Sequence, residues 1–153
     1  MKMFMSGLLA GFLATAPMTV FMMLLYRRLP RREKYPLPPR EITMELAGKA
    51  GGKMDENERT GLTLAAHFSY GTVMGSLYSL AAARLPGPFM VKGIVFGLLV
   101  WAGSYLVVLP ALGVLSSAKE HPLRRNALMI SAHAVWGAVL GLIVEWLSRE
   151  GST

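Results

Sequence analysis

Residues 127–147 read ALMISAHAVWGAVLGLIVEWL, an apolar run broken only by the imidazole of His133 and by Glu145 near its end. A run of this kind matches the ~20 residues that an α-helix needs to cross about 30 Å of hydrocarbon. It lacks the period-two alternation of a barrel strand and is too long for one, so it is helical. Met5 to Tyr26, Leu62 to Ala83 and Val91 to Leu109 have the same character, and the first two carry no charged residue. Four spans are therefore expected, with Pro17 kinking the first and Pro110 bending or ending the third.

The composition agrees with a bilayer as solvent. The 153 residues are 53% hydrophobic and 16% charged, with a mean hydropathy of +0.42, too apolar for an ordinary soluble domain of this size. The formal charge is +7, and the basic surplus is clustered beside apolar runs, which points to anionic lipid headgroups rather than nucleic acid. Zero cysteines exclude disulfides, thiolate metal sites and Cys nucleophiles. Only Lys2 precedes the first apolar run, which is too long for a signal-peptide core and reads as a retained span.

The connecting segments set the orientation. Of the sixteen Lys and Arg, twelve fall in residues 27–60 and 110–126, which puts both segments in the cytoplasm and both termini outside. Five are packed into eight residues, Arg27, Arg28, Arg31, Arg32 and Lys34, a candidate lipid-binding cluster. The rigid Tyr35-Pro36-Leu37-Pro38-Pro39-Arg40 follows. A short amphipathic helix is expected over residues 41–50, with Ile42 and Leu46 on one face, Glu45 paired with Lys49, and Gly51-Gly52 as its stop. It would lie at the interface or form part of a solvated linker.

The chain repeats itself. A shift of 66 residues lays Ala66-His67-Phe68-Ser69-Tyr70-Gly71-Thr72-Val73-Met74-Gly75 on Ala132-His133-Ala134-Val135-Trp136-Gly137-Ala138-Val139-Leu140-Gly141, and a shift of 86 lays the first span on the third. The fold class expected is all-α, an integral membrane four-helix bundle made of two tandem helical-hairpin repeats, related by a pseudo-two-fold axis along the membrane normal. Each span carries one Gly-x-x-x-Gly: Gly7 and Gly11, Gly71 and Gly75, Gly93 and Gly97, Gly137 and Gly141. Glycines four apart share a helix face and let backbones approach closely. They serve packing within the chain, a dimer interface, or room for a flat cofactor.

His67 and His133 begin these patterns at equal depth and are the candidate cofactor-binding residues, since an ionisable group inside hydrocarbon is a functional hypothesis by default. One reading has each imidazole hydrogen-bonded to a neighbouring helix through Ser69, Ser131, Thr15 or Thr19. The competing reading makes the pair axial ligands of a b-type haem in electron transfer, with Tyr70 and Trp136 at the ring edge; a chlorophyll-type group or a metal ion is the further alternative. Two histidines without a membrane-embedded acid make a poor ion pathway, so a small transporter is the weaker alternative. His121 is expected to be solvated, Glu145 to pair with Arg149, and Tyr26, Trp146 and Tyr105 to sit in interfacial belts. No phosphate loop, zinc motif or nucleophile elbow is present, and no enzyme is expected. The expected function is that of an accessory subunit of a larger membrane complex or a lipid-associated factor, with a homo-oligomer also open.

Pro36-Leu37-Pro38-Pro39-Arg40, Leu109-Pro110-Ala111-Leu112-Gly113 and the His133 to Trp136 segment, in this order relative to the spans, resemble the YagU-like bacterial inner-membrane proteins. The resemblance implies a bacterial inner-membrane location and carries no reaction, cofactor or functional residue.

Overall fold

The computed structural model describes residues 2–49 and 54–150, and among them every regular element is helical. The principal helices are α1 (Lys2–Arg27), α2 (Pro38–Lys49), α3 (Glu56–Ala82), α4 (Phe89–Ala111) and α5 (Leu123–Glu150). Three of them, α1, α4 and α5, are long and apolar enough to cross a membrane, with mean hydropathies of 2.0, 2.1 and 2.0.

The expectation of four such spans meets its difficulty in α3. It is 27 residues long, but it opens on Glu56 and Glu58 and carries Thr72, Ser76 and Ser79 along its length, which lower its hydropathy. These hydroxyls donate to carbonyls three or four residues back on the same helix, Thr72 to Phe68, Ser76 to Val73 and Ser79 to Ser76, so they need no partner outside it. A reciprocal cap between Asp55 and Glu58 starts α3 and satisfies donors that a helix N-terminus leaves open.

The helices meet through backbone. A Cβ placed on Gly7 would come 2.6 Å from the Gly75 carbonyl, and one on Gly11 would come 2.9 Å from Gly75 Cα, so α1 and α3 touch where only glycine fits. Gly93 and Gly97 on α4 meet the carbonyls of Gly137 and His133 on α5 in the same way, and Gly141 meets that of Phe89. The two contacts differ in register. Gly7 lies against Gly75, whereas its sequence counterpart Gly93 lies first against Gly137, one helical turn from the equivalent position. α1 also packs closely on α5, while α3 and α4 touch only lightly. The helices therefore close tightly on one side and leave a gap on the other.

α1 runs unbroken through Pro17. α4 changes its bonding before Pro110: Gly103–Val108 is a π-helical segment, and the Leu109 N–H donates to Ser104 O. Proline has no N–H to return to the carbonyl four residues back, and a shifted register ahead of it accommodates that loss. α2 begins at Pro38, three residues before the expected start, because proline suits the first helical turn. The Glu45 to Lys49 pair forms at 3.4 Å; the expected stop at Gly51-Gly52 lies outside the described residues.

Replacing Gly75 or Gly93 by Ala should destabilise the detergent-solubilised protein by about 1–3 kcal/mol, the usual cost of overpacking. Gly61→Ala, on α3 with open space around it, should be neutral or stabilising by up to ~1 kcal/mol. Thermal unfolding followed by circular dichroism separates the two classes, and equal melting of all three variants would contradict the close backbone contact.

Candidate functional site

The gap between α3 and α4 opens into a cavity of about 290 Å³. Thr15 and Met18 of α1, His67 and Tyr70 of α3, Ser104 and Tyr105 of α4, and Met129, His133 and Trp136 of α5 form its walls, and Pro39, Ile42 and Thr43 of α2 close one end. Ile42, expected on a lipid- or solvent-facing stripe with Leu46, is turned inward to the cavity, while Leu46 stays exposed. The two histidines thus line one space.

They are not equivalent in it. His133 is buried, and its Nδ1 donates to the Met129 carbonyl at 2.8 Å. A carbonyl only accepts, so this nitrogen holds a proton. Tyr105 meets the same ring edge-on, with centroids 5.9 Å apart; it is buried there rather than sitting in an interfacial belt. His67 Nε2 is buried without a hydrogen-bond partner. The register difference accounts for the deeper burial of His133, because the one-turn shift seats its backbone against Gly97, whereas Gly11 meets Gly71 and leaves His67 beyond the contact.

Three of the four partners expected for the imidazoles bond their own helices. Thr15 donates to Gly11 O, Thr19 to Thr15 O and Ser131 to Ala127 O, all within their own helices. Among the described residues neither histidine bridges two helices by a hydrogen bond. The glycines beside the histidines offer no slot for a flat ring either: a Cβ on Gly71 would strike Thr15 Oγ1, and one on Gly137 would come 3.0 Å from Ile94 Cα. Among the described residues no three His, Asp or Glu side chains come together as a metal site.

Arg125, which the sequence presented as one more loop charge, organises the α2 end of the cavity. The residue is buried at 4% exposure. The guanidinium donates to the carbonyls of Glu33, Tyr35 and Pro36 at 3.1, 2.9 and 2.8 Å, lies 3.5 Å over the Tyr35 ring and approaches Glu41 at 3.9 Å. The Tyr35 hydroxyl in turn shares a 2.8 Å hydrogen bond with His121 Nδ1, and His121 Nε2 meets Ser116 at 3.3 Å. His121 is therefore held rather than solvated. A signal was present in the sequence: prolines at 36, 38 and 39 remove donors from the segment, so its carbonyls need a donor from elsewhere. Burial raises the Glu41 carboxyl above its ordinary range, an effect larger than the opposing pull of Arg125.

The cluster at the end of α1 faces outward. Arg27, Arg28, Arg31, Arg32 and Lys34 are all exposed. Among the described residues none of the four arginines has an ion-pair partner, and Lys34 donates to the Arg27 carbonyl. Glu33, the acid within the run, is buried and turned towards Arg124 at 3.9 Å. The outward surface is cationic without internal neutralisation.

Arg125→Ala should destabilise the protein by about 3–5 kcal/mol, the usual cost of removing one member of a buried charged pair, and should speed proteolysis within residues 31–41 while the long helices persist. Arg125→Lys should rescue only in part, since an ammonium lacks the planar fork that serves several carbonyls at once. For Glu41 the folded state holds its proton more tightly than the unfolded chain. Unfolding free energy therefore falls as pH rises from the ordinary carboxylate range through the raised value. Glu41→Gln should flatten that slope in pH-dependent melts; an unchanged slope would show that another group sets it.

No curated protein and no solved structure matches the sequence. Residues 27–142, from the end of α1 through most of α5, match DUF1440, described as a protein of unknown function. The chain belongs to the DUF1440 family.

Proposed function

We propose that this chain is a non-enzymatic four-span membrane protein that holds anionic lipid headgroups on its cytoplasmic face through Arg27, Arg28, Arg31, Arg32 and Lys34, as a lipid-associated factor or an accessory subunit of a larger complex in a bacterial inner membrane. The observation that carries the reading is a run of five exposed cations at the end of an apolar helix, with its acid folded inward. Phosphate oxygens are the complement of such a surface, and each Lys or Arg near an anionic bilayer contributes on the order of 1 kcal/mol within a Debye length.

α3 is the fourth span in this reading. Its outward positions from Val73 on are apolar, with Val73 at 52% exposure and Leu77 and Leu80 beside it in spacing, and the hydroxyls of Thr72, Ser76 and Ser79 are satisfied internally. The paired glycines of α1 with α3 and of α4 with α5 support two tandem hairpins. Both termini then lie outside, with the α2 end of the cavity facing the cytoplasm.

The purified chain, examined by native mass spectrometry from mixed-lipid micelles, should retain phosphatidylglycerol or cardiolipin in preference to phosphatidylcholine. Replacing the four arginines by Gln should abolish the preference, and added salt should weaken it. Equal retention of neutral lipid, or no effect of the four substitutions, would remove the lipid role. A reporter fused after Thr153 should behave as external; a cytoplasmic signal would overturn the orientation.

A further inference from the structure

The cavity carries an inference independent of the basic cluster. None of its seventeen lining residues is Lys, Arg, Asp or Glu, so it has no counter-ion for a charged ligand, and burying an unpaired charge there would be costly. Its volume of about 290 Å³ sits at the lower edge of ligand sites, enough for a single ring or a short chain.

Its polar groups are specific. Trp136 is 3% exposed and its indole N–H has no acceptor; indole nitrogen is a donor only. His67 Nε2 is likewise buried without a partner. The His67 nitrogen donates in one neutral tautomer and accepts in the other; leaving it or the indole N–H unmatched destabilises a fold, and each needs an explanation. An acyl chain would fill the space and leave both unmatched. A neutral ring bearing carbonyl oxygens would supply acceptors and present a flat face to the aromatic walls of Tyr105, Trp136 and Tyr70.

The route in is lateral. α3 and α4 touch only lightly, and beside the cavity they are bridged by one 3.0 Å hydrogen bond between the Tyr70 hydroxyl and Ser104 Oγ. Tyr70 is half exposed on the outer surface. Ser104 lies in the π-helical segment, a feature often found where a helix is reshaped for a site. A molecule dissolved in the bilayer could part this bond, seat its ring inside and leave its tail between the helices.

We propose that the cavity between α3 and α4 binds the ring of a lipid-soluble, neutral carbonyl compound of the quinone class, with Trp136 and His67 as hydrogen-bond donors and the Tyr70–Ser104 bond as its lateral gate. The test uses the purified full-length chain in detergent, with decylubiquinone as probe and decylbenzene, which has the tail but no carbonyl, as control. Bound probe is measured by equilibrium dialysis. Decylubiquinone should bind saturably and decylbenzene should not. Trp136→Phe keeps a ring but loses the donor and should weaken binding about tenfold, the equivalent of one hydrogen bond. Ile42→Trp, on the short helix that closes the cavity, should fill the space and abolish binding while the long helices keep their circular dichroism. Absence of saturable binding, equal binding of decylbenzene, or unchanged affinity in Ile42→Trp would overturn the assignment. Loss of the lipid preference in the arginine variants leaves this binding intact, so the two proposals fail separately.

Discussion

Contact of bare backbone between helices is the constraint on which the rest of this structure depends. Within hydrocarbon there is no hydrophobic gain in bringing two apolar helices together, so association relies on how closely their atoms approach. Gly7, Gly11, Gly71 and Gly75 bring α1 onto α3, and Gly93, Gly97, Gly137 and Gly141 bring α4 onto α5. The contacts are short and specific, so register matters as much as pairing. One helical turn of difference between them decides which histidine is packed at the contact and which is left beyond it.

The same geometry explains why the cavity lies where it does. α1 is pinned on both sides, by α3 and by α5, with Ala10 and Ala14 fully buried between them. An equally tight contact between α3 and α4 would complete the ring of helices, yet those two meet only lightly. The space left is sealed at one end by α2, and α2 is held in turn by what surrounds Arg125. A single guanidinium fixes three carbonyls, a tyrosine ring and a carboxylate. It stands at the start of α5, so the helix carrying His133 and Trp136 also carries the anchor of the segment that closes over them.

Spacing made much of this legible in the sequence. Glycines four apart, histidines at equal depth and an apolar run of bilayer length are local patterns, and a helix turns them into a face without reference to anything else. The register between helices is not local: sliding α4 one turn along α5 leaves every Gly-x-x-x-Gly in place, so nothing in the pattern distinguishes His67 from His133. Arg125 was obscured for a related reason. Its neighbour Arg124 remains exposed, and two adjacent arginines at a helix start differ only in which carbonyls the folded chain presents to them. Tyr105 and His121 were misplaced for want of the same tertiary information.

Polar groups in α3 show the limit of hydropathy as a guide to membrane placement. A transfer scale counts each Ser and Thr as exposed to its surroundings, whereas Thr72, Ser76 and Ser79 return their hydroxyl protons to the helix that bears them. The cost that hydrocarbon imposes falls on unsatisfied donors. By that criterion α3 is less polar than its composition, and the expensive groups of the long helices are other atoms: the buried nitrogens of His67, Trp101 and Trp136, which have no partner, while Glu33 and Glu41 each leave a carboxylate oxygen without a hydrogen bond outside those helices. Two of these three nitrogens belong to residues at the cavity wall. The hydroxyls of Thr72, Ser76 and Ser79 are satisfied within their own helix, while the unpartnered nitrogens of His67 and Trp136 border one space, where a ligand can use them.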